Sequence, residues 1–148
     1  MNRFRSLRPL VVLVAAGMLM VGTRASAEER SHKSGGTAQF VSPTDFVGSG
    51  EATHLGRYTE VGSVEFSPTD DPTVLQIDAW SIYTAANGDQ LYATITGRLD
   101  VQTGAITATV TYAGGTVRFD DADGSATLSG QMLPDGTIAV SVEGTIDY

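Results

Sequence analysis

The chain has 148 residues, 9 basic and 17 acidic, no cysteine, and a formal charge of −8 at neutral pH. The missing cysteine excludes disulfides, thiol chemistry and lipid attachment through a cysteine. The acidic excess makes nucleic acid and anionic membrane surfaces poor partners and favours solubility.

Residues 1–27 read as a Sec-type signal peptide rather than part of the fold. Arg3, Arg5 and Arg8 form a basic start, Leu10 to Val21 is an apolar run, and Ala25-Ser26-Ala27 is a small-residue cleavage site. The alternative is a membrane anchor, but the run is short of the ~20 apolar residues that a spanning helix needs. No adjacent arginine pair marks a twin-arginine route. Cleavage leaves 121 residues with five basic against 17 acidic side chains, a formal charge of −12. This is the length of one domain with a single core, exported to the periplasm or beyond the cell.

Glu28 to Gly36 is polar and ends in glycine, and is expected to be a flexible leader. The folded domain is then 37–148. Thr37 to Val41 reads as a short strand ended by Ser42-Pro43. Phe46 to Phe66 mixes β-favouring residues with four glycines, so it forms two strands or one long kinked strand, breaking near Gly56 or Gly62. Ser67 to Pro72 is a loop.

The clearest signal follows. Val74 to Tyr83 and Gln90 to Val101 flank Asn87-Gly88-Asp89, a hairpin turn in which both Asn and Gly tolerate positive φ. In the second run Leu91, Ala93, Ile95, Gly97, Leu99 and Val101 share one face, a period of two. Thr103-Gly104 turns the chain into a strand over Ala105 to Tyr112. An irregular segment, Ala113 to Gly124, surrounds Phe119. Ser125 to Met132 and Thr137 to Ile146 are the last strands, joined by the Pro134-Asp135-Gly136 turn.

No helical period follows the signal. Repeated hairpins predict an all-β chain, a single antiparallel barrel of about eight strands, with a β-sandwich as the alternative. Inward glycines at Gly97, Gly130 and Gly144 suit tight curvature, and closure removes exposed strand edges. The expected inward set is Phe40, Leu75, Ile77, Leu91, Ile95, Leu99, Ile106, Val110, Leu128, Ile138, Val140, Val142 and Ile146. Each large apolar side chain in it gains roughly 1.5–3 kcal/mol on full burial, before the entropy cost.

Three stretches together, Gly48 to Thr59, Ala86 to Tyr92 and Gly114 to Ser125, resemble a group of uncharacterised secreted bacterial β-barrel proteins. More distantly, Gly-Gly-Thr-x-Arg-Phe-x-x-Ala-x-Gly from Gly114 to Gly124 is similar to a loop of the allene oxide cyclase and dirigent barrels. In the bacterial group the fourth position of this loop is usually glycine and the tenth usually threonine; here they are Val117 and Asp123. The resemblance implies an eight-stranded antiparallel barrel and carries over no catalytic residue.

His54, among glycines and near Arg57 and Tyr58, is the first candidate for acid–base work; the plainer reading is a structural histidine bonded to a neighbouring backbone. His32, the other histidine, falls in the expected leader. Glu51 and Asp78 are the candidate carboxylates if the protein is an enzyme. Trp80, Tyr92 and Arg98 lie with Asp78 and Glu143 on the more polar strand faces, and aromatics beside charges suit a sugar or other small ligand. Ordinary cross-strand pairing on a solvated sheet face is the plainer reading.

Asp121 and Asp123 suggest a cation loop. However, an EF-hand register that fits them puts Phe119 and Gly130 at ligand positions, so a solvated acidic turn is the better reading. Two distant histidines build no zinc site. No nucleophile elbow or phosphate-cradling loop occurs. No cofactor is expected.

The first functional expectation is therefore an exported non-catalytic barrel that binds a small apolar molecule or a glycan, or acts as an interaction module. The alternative is a cyclase- or isomerase-like enzyme with a pocket inside the barrel. A third, structural role would show as self-association. An open cavity reaching His54, Glu51 or Asp78 would favour the enzyme; an interior packed solid would remove it.

Overall fold

The computed structural model describes residues 28–148; the expected signal peptide, residues 1–27, lies outside them. The strands are β1 (Arg30–Phe40), β2 (Asp45–Ala52), β3 (Gly56–Pro68), β4 (Val74–Thr84), β5 (Gln90–Asp100), β6 (Ala105–Gly115), β7 (Asp123–Met132) and β8 (Thr137–Asp147). Each pairs antiparallel with the next, and β8 returns to β1 through a register running from Arg30 opposite Ile146 to Gln39 opposite Thr137. This closes the wall as a barrel and excludes the sandwich, whose two sheets would leave open edges.

Alternation decides what lies inside. On β5 Leu91, Ala93, Ile95 and Leu99 are buried while Thr94, Thr96 and Arg98 are exposed. Every residue of the expected inward set is buried or half-buried. The interior forms two apolar layers. One gathers Leu55, Leu91, Ile95, Val110, Phe119, Leu128 and Ile146; the other centres on Val64, Ile77 and Leu99, with Phe40, Phe46, Phe66 and Met132 against them. Gly97 faces inward where a Cβ would collide with Ala108 and the Thr107 carbonyl of β6, so glycine lets these strands approach.

The β4–β5 hairpin forms as expected, from Leu75 opposite Leu99 to Tyr83 opposite Leu91. Its turn differs in detail. Gly88 alone takes positive φ (91°), while Asn87 uses its side-chain oxygen to accept the Asp89 amide at 3.1 Å. Phe46 to Phe66 resolves into two strands, broken at Thr53 to Leu55 and restarted by Gly56 at φ 64°.

The leader is a correction. Residues 30–36 form the first seven residues of β1: all of them pair with β8, and Ser34 to Gly36 pair with β2 as well. Their inward positions are His32, Ser34 and Gly36, so no apolar alternation marks the strand in the sequence.

The irregular segment contains a 3-10 turn, Val117–Phe119. Val117 has φ 53° and is 80% exposed. A β-branched residue is strained in the left-handed region, and nothing it touches repays that strain. Val117→Asn is expected to raise unfolding free energy by about 1 kcal/mol, read by denaturant midpoint; an unchanged or lower midpoint would show that the turn relaxes around valine.

Candidate functional site

The two ends of the barrel differ. At one end the β2–β3 turn, the β4–β5 turn, the β6–β7 loop and the chain's last residue converge. Leu55 and Phe119 are buried there, and the Phe119 ring packs on Tyr148 at 5.0 Å between centroids. Arg118 fastens this seal: its guanidinium donates to the His54 carbonyl at 2.7 Å, pairs with Asp89 at 3.2 Å, and lies 4.6 Å over the Phe119 ring. Arg118→Ala is expected to cost about 1–2 kcal/mol, a fall of several degrees in Tm, because the contacts are charge-assisted and Asp89 is well shielded.

At the other end Phe40, Phe46, Phe66 and Met132 are only half-buried. Between the ends lies a cavity of about 90 Å3, walled by side chains of all eight strands and reaching these rings. At roughly 10–15 Å3 for one water on this measure, that is room for several waters or one small molecule.

The cavity wall is apolar except at one pole on β3 and β4, with Ser34 of β1 beside it. Glu60, 7% exposed, projects into it, opposite Gly48 of β2 and Tyr83 of β4. Ser81, buried beside it, donates its hydroxyl to Glu60 Oε1 at 2.6 Å, and the Tyr83 hydroxyl is the second hydrogen-bonding neighbour. A Cβ at Gly48 would sit 2.9 Å from Glu60 Oε2, so the glycine makes room for the carboxyl. Tyr58, also buried, completes the pole.

No basic side chain among the described residues lines the cavity. Burial therefore pushes the Glu60 carboxyl above the usual carboxylate range, and the bonds from Ser81 and Tyr83 offset this only in part. Burial likewise raises Tyr83 well above its ordinary value, and raises Tyr112 as well.

Behind this pole is a second void of about 10 Å3, touched by His32, Tyr58, Tyr83 and Tyr112. His32 is 2% exposed, its Nδ1 has no partner, and burial, followed by the neighbouring His54, lowers its pKa to about 4. Its ring stacks on His54 at 5.8 Å and meets Tyr112 edge-on at 5.3 Å.

The expected site residues do not come together. His54 sits at the sealed end, outside the main cavity. Its Nε2 is 2.8 Å from the Ser31 carbonyl, which only accepts, so Nε2 carries the proton and Nδ1 receives the Tyr148 hydroxyl at 3.1 Å. That is a strut tying β1, the β2–β3 turn and the end of β8. Glu51 is exposed on the outer wall, 3.7 Å from Arg57.

Asp78, Trp80 and Arg98 are exposed and Tyr92 is half-buried, all on outward positions of β4 and β5. Asp121 and Asp123 are exposed on and beside the β6–β7 loop. Among the described residues no group of three or more His, Cys, Asp or Glu is placed to hold a metal ion. The sequence reading passes over Glu60 and leaves His32 in the expected leader. The signal for Glu60 was there: one carboxylate sharing the strand parity of Tyr58, Val64 and Phe66.

Fold and site define a closed eight-stranded antiparallel barrel enclosing an apolar cavity with a single acidic pole. The sequence matches no protein-family model and no curated protein. Among solved structures it is similar to a heme-binding cyclase described as nonspecific, which catalyses a [4 + 2] cycloaddition during neoabyssomicin biosynthesis. That likeness has TM-score 0.44 and 12% identity, covering 82% of this chain and 68% of the other. Overlap at this level assigns no chemistry to the present chain.

Proposed function

We propose that the protein is an exported barrel whose work is to hold a small apolar molecule in its interior. The observation that carries this is the cavity: an interior walled by leucine, isoleucine, valine and phenylalanine that stays unfilled between a sealed end and a ring of half-buried phenylalanines. Well-packed cores leave few voids of this size, and a void costs stability unless something occupies it. Export rests on the charge pattern and cleavage site of residues 1–27.

Ala79 lines the cavity and is half-buried. Ethylbenzene is expected to raise Tm by binding the native state alone, and Ala79→Phe, which fills the space, is expected to abolish that rise. An equal rise in the variant would place the probe elsewhere and sink the reading.

A cyclase- or isomerase-type enzyme is the second reading, and Glu60 favours it. A carboxyl whose pKa burial raises, set in an apolar cavity, is chemically suited to give up a proton to a bound substrate. Its candidate acid is then Glu60, not His54, Glu51 or Asp78. Turnover that survives Glu60→Gln would remove it.

A further inference from the structure

We propose that the cavity takes neutral molecules that carry a carbonyl or similar hydrogen-bond acceptor on an apolar body, with the Glu60 carboxyl proton as the group that receives them. This deepens the ligand-binding reading and rests on it. The polar groups around Glu60 are few. Ser34 comes from β1, Tyr58 from β3, and Ser81 and Tyr83 from β4; β2 and the four strands after β4 contribute only apolar side chains to the cavity wall. His32 and Tyr112 stand behind the tyrosines in the adjoining void.

An anionic head placed here meets an acid and no cation to neutralise it, so carboxylates and phosphates are refused. A cationic head requires Glu60 ionised, and two charges must then be taken out of water for one pair. The uncharged carboxyl suits the site without either cost. Its Oε1 accepts the Ser81 hydroxyl and Tyr83 is a second hydrogen-bonding neighbour, and a protonated carboxyl keeps its own O–H as a donor beside them. A ligand oxygen that accepts this proton completes the bonding of the pole. A pure hydrocarbon of the same shape leaves the donor unpaired and is bound less tightly.

Four single-ring probes of similar size separate the cases: acetophenone, ethylbenzene, benzoate and benzylamine, titrated calorimetrically into the protein between pH 5 and pH 9. Acetophenone is expected to bind about tenfold tighter than ethylbenzene at pH 5, the worth of one additional hydrogen bond. That advantage should shrink as pH rises and the carboxyl ionises. Benzoate and benzylamine should bind at least tenfold more weakly than acetophenone at pH 5.

Glu60→Gln, which keeps an N–H donor at every pH, should hold the ketone preference up to pH 9, and Glu60→Leu should erase it while still binding ethylbenzene. Equal affinity for acetophenone and ethylbenzene, or tightest binding of benzylamine, overturns this inference and leaves the apolar-ligand reading standing. Failure of all four probes overturns both.

Discussion

Phe119→Ala is expected to lower the unfolding free energy by about 3–5 kcal/mol, the largest loss from any single truncation in the β6–β7 loop. Phe119 is 0% exposed although it lies in a loop between strands. Its ring packs on Tyr148 and lies under the Arg118 guanidinium, and a Cβ at Gly115 would press to 2.7 Å from its own Cβ. The turn hydrogen bonds from Phe119 N to the Thr116 carbonyl and from Ala122 N to the Phe119 carbonyl, both 3.0 Å, fix the backbone, so the loop cannot collapse into the space left behind.

Loss of the ring also opens the end that shields His32. Val117 is the internal control: two residues away and 80% exposed, it should lose nothing on truncation to alanine. Equal losses at both positions, measured by denaturant titration, would mean that the loop acts as a tether and seals nothing.

The second large effect is a pair of opposed pH dependences. Glu60 is raised in the fold, mainly by burial. Its contribution to stability is complete below the ordinary carboxylate range and is lost as pH rises through the raised value, because the folded state then holds an ionised carboxyl out of water. His32 is lowered from 6.5 to about 4, again mainly by burial. Its contribution is complete above pH 6.5 and is lost as pH falls towards 4, because the unfolded chain takes up a proton that the folded chain refuses.

Between these limits the two slopes oppose, and the wild type should respond weakly to pH. Glu60→Gln unmasks the histidine, so stability should fall on acidification from pH 6.5 to 4.5, by on the order of 2 kcal/mol after allowing for solvent screening. His32→Phe unmasks the carboxyl, and stability should rise over the same range. Slopes of the same sign in the two variants would show that one of the groups is not buried as described. At pH 7.5 Glu60→Gln should also be more stable than wild type, since it removes the cost of either protonating this carboxyl or holding its charge with no cation beside it.

How much of this could be read from the residues follows from what alternation reports. Where one face is apolar and the other polar, as at Leu91, Ile95 and Leu99 against Thr94, Thr96 and Arg98, the strand, its register and its inner face follow from the period, and Asn87-Gly88-Asp89 places the turn. Where the inner face is itself polar or bare, the period carries no hydrophobic contrast. That is why β1 reads as a leader up to Gly36: its inward residues there are His32, Ser34 and Gly36, and its strand character comes from the closure with β8. The site is hidden for the same reason. His54, Glu51 and Asp78 stand out by residue type and neighbours, whereas the acid inside the barrel is Glu60, which breaks an otherwise apolar parity. Parity located the wall; only the closed register shows that Tyr58, Glu60, Ser81 and Tyr83 share one pole of the space it encloses.

A crystal of the protein pressurised with xenon tests the enclosed apolar space most directly. Xenon is expected to settle inside the barrel between Ile95, Leu128 and Val142, within reach of the Glu60 pole and with little movement of the wall. An interior that takes up no xenon, because side chains fill it or a chain of ordered waters runs through it, would contradict the barrel as a holder of apolar ligands.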